Sequence, residues 1–111
     1  MSIFRLEAAP YQPIDSRYVD TVDLLVNNIG GEPFDMLIHG YNPHGRFYVG
    51  QIGLAGGAVV TVPGIATLKM PFTLLLVTNY HTYHTTGIAL TLKNGGETVA
   101  LINQEHFTRM H

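Results

Sequence analysis

With 111 residues, 46% of them hydrophobic and only 13% charged, the chain is the size of one domain with a single core, and its charge content is well below the ~25% of an average soluble domain. Lys69 and Lys93 are the only lysines and the net charge is -2, which excludes the basic stripe needed to track nucleic-acid phosphates. The absence of cysteine excludes a disulfide framework, thiolate chemistry and a cysteine-ligated zinc site.

At the start, Ile3, Phe4 and Leu6 make a short apolar strand, and Pro10 and Pro13 then favour extended backbone. Residues 1–16 are expected to form an extended N-terminal arm, and residues 17–111 a β-sandwich domain. No basic start and small-residue cleavage site mark a signal peptide, and the longest apolar run, 72–77, is too short to span a bilayer. The expectation is synthesis without a signal peptide, leaving the protein cytoplasmic unless it assembles on an exterior surface.

Residues 18–26 allow two readings. Val19, Val22, Val26 and Ile29 fit a helical stripe stopped by Gly30-Gly31, whereas Tyr18, Asp20, Val22, Leu24 and Val26 share one face of a strand. The strand is preferred because the segment is rich in β-branched residues and everything after it reads as strand. Segments 34–41, 46–54, 57–62, 65–77 and 87–103 follow, separated by Asn-Pro, Gly-Gly, Pro-Gly and Asn-Gly-Gly. In the last, Ile88, Leu90 and Leu92 alternate with Ala89, Thr91 and Lys93, and Asn94-Gly95-Gly96 turns the chain so that Val99 and Leu101 return. Phe72, Leu74 and Leu76 oppose Leu75 and Val77, so that strand is apolar on both faces and should be central or covered, for instance by the arm. The fold predicted is all-β: an antiparallel two-sheet β-sandwich, jelly-roll-like, carrying the arm.

Chemistry is harder to find. Histidines stand at 39, 44, 81, 84, 106 and 111, but His81 and His84 are three apart, and on a strand that spacing points them to opposite faces. His39 shares a face with Leu37 and Tyr41 and reads as a hydrogen-bonded sheet residue. Ser2 and Ser16 are the only serines, so a hydrolytic triad has no nucleophile near it. The pairs Asp20 with Asp23 and Glu97 with Glu105 offer no reason to select two as acid and base. Gly53-Leu54-Ala55-Gly56-Gly57 is a hairpin turn, since no helix start or lysine follows as a phosphate loop requires. No catalytic residue, metal site or cofactor is predicted.

Two binding surfaces remain. Ile3, Phe4, Leu6, Pro10 and Pro13 would let the arm pair with its own sheet or add to the edge of a neighbouring copy, giving a homo-oligomer or polymer. Tyr80, His81, Tyr83 and His84 would instead form one rim of a lectin-like, glycan-binding module. The N-terminal arm, the strand order and the closing segment Gly87-Ile88-Ala89-Leu90-Thr91-Leu92-Lys93-Asn94-Gly95-Gly96-Glu97-Thr98-Val99-Ala100 resemble the endospore-appendage subunits of spore-forming bacteria. The resemblance implies a jelly-roll domain behind a connector, stacking by sheet augmentation into a spore-surface fibre. Those connectors are crosslinked by cysteines, and this chain has none. The function expected is therefore a non-enzymatic structural subunit that forms a filament or surface lattice through strand augmentation, with packing and backbone hydrogen bonds alone holding it.

Overall fold

The computed structural model describes residues 1–110; the sixth histidine, His111, lies outside the described residues. Period-two alternation of apolar and polar side chains builds nine strands: β1 (Ile3–Ala8), β2 (Thr21–Asn28), β3 (Phe34–Asn42), β4 (Gly45–Leu54), β5 (Val59–Ala66), β6 (Phe72–Thr78), β7 (Thr86–Asn94), β8 (Glu97–Asn103) and β9 (Thr108–Met110). Every pairing is antiparallel. One sheet has the order β4-β3-β6-β1-β9 and the other β5-β2-β7-β8, making a β-sandwich. The nested pairs β2 with β7 and β3 with β6 lie in opposite sheets, which is the jelly-roll-like part of the topology. The hairpins β3–β4 and β7–β8 each stay within one sheet and widen it.

The inner faces supply the core: Phe4, Leu6 and Ala8 of β1, Leu74 and Leu76 of β6, and Met36 and Ile38 of β3 oppose Val22, Leu24 and Val26 of β2 and Ile88, Leu90 and Leu92 of β7. Full burial of each large side chain contributes roughly 1.5–3 kcal/mol. The ambiguity at residues 18–26 resolves to strand, with a short 3₁₀ turn, Ser16–Tyr18, before it. The closing hairpin forms as predicted around Gly95 and Gly96, whose φ values of 61° and 86° suit a tight two-residue turn.

Four expectations need correction. Gly53-Leu54-Ala55-Gly56-Gly57 is not a hairpin turn, because it carries the chain from β4 in one sheet to β5 in the other. Residues 1–16 do not extend from the sandwich as an arm, because Ile3–Ala8 is the fourth strand of the five-stranded sheet, hydrogen-bonded to β6 on one side and β9 on the other. The three apolar side chains it turns inward make it core. Pro63-Gly64 does not end a strand but lies inside β5, at a sheet edge where proline removes no ladder hydrogen bond; the Gly64 N–H is taken by Asp23 Oδ1 at 2.8 Å. Segment 65–77 is accordingly two strands, broken at Thr67–Pro71 rather than before Ile65. Finally, β6 is central rather than covered by the N-terminal segment: β1 lies beside it in the sheet, and Leu75 and Val77 are half-buried on the outer face.

Candidate functional site

The N-terminus is held by the β6–β7 connection. Ser2 is fully buried: its N–H donates to Thr78 Oγ1 (3.1 Å), its carbonyl accepts from Thr78 N–H (2.9 Å), and its Oγ accepts from Thr82 N–H (2.7 Å). The Tyr83 hydroxyl accepts from Ile3 N–H at 2.9 Å and donates to the Met110 carbonyl at 2.6 Å, bridging β1 and β9, while its ring meets Phe4 edge-on at 5.1 Å. Of the five residues expected at an assembly interface, Phe4 and Leu6 are therefore core, Ile3 is half-buried on the outer face, and Pro10 and Pro13 sit in the loop after β1.

That loop is clamped. Asp15 accepts from Arg17 Nη2 (2.7 Å) and Nε (3.0 Å) and from the Tyr11 and Arg17 N–H groups, and the Arg17 guanidinium lies 4.1 Å from the Tyr11 ring centre. The Arg17 side-chain hydrogen bonds, aided by the two backbone N–H donors and the guanidinium charge, hold the Asp15 carboxyl well below the usual carboxylate range.

The four residues of the expected ligand rim are divided. Tyr80 and His81 line a cleft of about 410 Å³ together with Gly30, Gly31, Glu32, Pro33 and Phe34. Tyr83 is turned away as the β1–β9 bridge, and His84 is exposed outside the cleft lining. The separation has a local cause: residues 79–85 are a turn, so the period-two rule that would place Tyr83 beside His81 does not apply. Glu32, which had no signal of its own, is brought to the cleft by buried Asn28, whose Nδ2 donates to the Glu32 (2.8 Å) and Leu54 (3.2 Å) carbonyls while its Oδ1 accepts from Gly30 N–H (3.1 Å). The loops pass so close here that a Cβ on Gly56 would stand 2.6 Å from the Gly31 oxygen.

The outer face of the five-stranded sheet follows from its register. One row runs Gln51, Leu37, Val77, Ile3, Met110 across all five strands, and the next runs Val49, His39, Leu75, Arg5, Thr108. These rows leave Leu37, Val49 and Met110 exposed beside half-buried Leu75, Val77 and Ile3. A third row, Tyr41, Thr73, Glu7, floors an open groove of about 760 Å³ with walls that include Pro13, Pro43 and Pro71.

Four strands end the sheets. β9 has three residues, β5 contains Pro63-Gly64 and a bulge, and β8 pairs through a bulge and carries Glu97, all of which blunt an edge. The fourth, β4, has ten residues, a bulge at Phe47, and, among the described residues, a hydrogen-bonded neighbour only in β3. From Phe47 to Leu54 it holds no charge and no proline. That run was readable in the sequence; its edge position was not.

Among the described residues no three His, Asp or Glu side chains are grouped to hold a metal ion, and no helix is long and apolar enough to cross a membrane. No protein-family model matches the chain, and no curated protein matches it. A solved structure, that of Thermotoga maritima 1070, matches with a TM-score of 0.56 at 11% identity, over 92% of this chain and 88% of that one, a likeness of fold.

Proposed function

We propose that the protein is a non-enzymatic structural subunit that assembles with copies of itself by sheet augmentation, through the β4 edge rather than an N-terminal arm. The observation that carries this reading is the uncharged edge from Phe47 to Leu54, a row of backbone donors and acceptors with no partner strand among the described residues and no charge or proline to guard it; its one guard, the bulge at Phe47, stands at the start of the run and leaves Tyr48–Leu54 regular. Two copies joined antiparallel at β4 form one ten-stranded sheet. Their apolar rows, each including Leu37 and Val77, then lie on one continuous face, which favours stacking of further copies into a filament or lattice.

Sedimentation velocity and negative-stain electron microscopy of the wild type beside a Val49→Lys/Gln51→Lys variant test it. Both positions are exposed, so the variant should stay folded. Dimers and larger ordered particles are expected in the wild type and monomers in the variant. Uniform monomers in both, at concentrations up to about 1 mM, would sink the reading, since even weak specific contacts persist near that Kd.

A further inference from the structure

We propose that the groove on the outer face of the five-stranded sheet is a binding site for a neutral oligosaccharide. This goes beyond assembly, and the groove shares no residue with β4. At about 760 Å³ the groove falls in the upper part of the ~300–1,000 Å³ range of sites that enclose most of a ligand, which suits a chain of sugars better than a single ring. Its floor presents a phenol, a hydroxyl and a carboxylate, from Tyr41, Thr73 and Glu7, on three adjacent strands. Neighbouring strands are ~4.8 Å apart, comparable with the step from one sugar ring to the next.

The polar groups are already positioned. The Tyr41 hydroxyl is 3.0 Å from His39 Nδ1, and Glu7 is ion-paired with Arg5. At the far wall His106 Nδ1 accepts from Asn103 N–H at 3.2 Å, so a neutral ring carries its proton on Nε2 as a donor. Gln12 and Asn42 add side-chain amides. Pairing of Arg5 with Glu7 leaves no net charge for an ionic ligand to neutralise, whereas a polyol takes up donors and acceptors of both kinds. The walls are stiff, because three prolines line them and the Asp15 clamp fixes the loop carrying Pro13. A proline-rich peptide docks in a slot walled by several exposed aromatic rings, whereas Tyr41 is the one aromatic side chain on this floor, beside a hydroxyl and a carboxylate, and Phe72 is buried.

Isothermal titration calorimetry of the full chain with tetra- to hexasaccharides of β-1,4-glucan, α-1,4-glucan, β-1,4-mannan and chitin tests the site. At least one is expected to bind. Glu7→Gln and Thr73→Val, both surface changes that keep the strand, should each weaken binding by roughly tenfold, the scale of one lost polar contact, while Tyr80→Ala in the other cleft leaves it unchanged. The proposal is overturned if no member of the panel binds, if Tyr80→Ala abolishes binding while Glu7→Gln and Thr73→Val do not, or if only a proline-rich decapeptide binds.

Discussion

Asn28 ends β2 fully buried, and its one amide satisfies two carbonyls and one N–H of the loops that shape the Tyr80–His81 cleft. Truncation would strand the buried Leu54 carbonyl and release Glu32. Asn28→Ala is thus expected to cost about 2–3 kcal/mol in urea unfolding, the scale of an unsatisfied buried group plus lost bonds. Acid sensitivity is also a residue-scale property. The Asp15 carboxyl is lowered chiefly by the Arg17 side-chain hydrogen bonds, and that of Asp23 chiefly by the Lys93 hydrogen bond, with help from Gly64 N–H. A carboxyl lowered in the folded state binds fewer protons there than in the unfolded chain. Its stabilisation is therefore complete above the unfolded value of about 4 and fades as pH falls toward the folded one. Asp15→Asn should lower Tm at pH 7, and the gap to the wild type should narrow at about pH 2.5; a gap independent of pH would mean that Asp15 acts through its neutral hydrogen bonds.

For the strands, local pattern and final role separate. The alternation of Phe4 and Leu6 with Arg5 and Glu7 made β1 legible as a strand, but not its partners, because an apolar two-residue period describes an inner strand and an exchangeable one equally well. Pairing with β6 is enforced by contacts of Ser2 with Thr78, 76 positions away, and of Ile3 with Tyr83, 80 positions away, meetings that are tertiary events. Deleting residues 2–8 is expected to leave an unfolded chain by circular dichroism, since it removes Phe4, Leu6 and Ala8 from the core and unpairs β6 and β9. A folded truncated domain would restore the detachable arm. Tyr83→Phe should cost about 1–2 kcal/mol and speed amide hydrogen exchange in β1 and β9 while β2 and β7 stay protected.

At the scale of the whole molecule, low charge matters more than any single contact. The sequence is isoelectric near pH 6.3, where net repulsion between copies vanishes. Light scattering of the wild type should therefore rise as pH approaches that value from above; the Val49→Lys/Gln51→Lys variant, whose two added positive charges take the formal charge from -2 to 0 at pH 7 and shift its isoelectric point upward, should scatter less than the wild type when each is held at its own isoelectric pH. Equal scattering by both would place any self-association elsewhere on the surface.

Alternation, turn residues and composition by themselves determined that this chain is a two-sheet β-sandwich, that the 72–77 strand is central or covered and that the closing hairpin turns at Asn94-Gly95-Gly96, because those properties depend on neighbours in sequence. Tertiary structure alone decided that β1 is interior, that the Tyr83 hydroxyl bridges β1 and β9, that Pro63 lies within an edge strand, and that Tyr41, Thr73 and Glu7 stand in one row. Each of these depends on which strands lie side by side. Strand order is set by packing among distant segments, and a two-residue period carries no information about it.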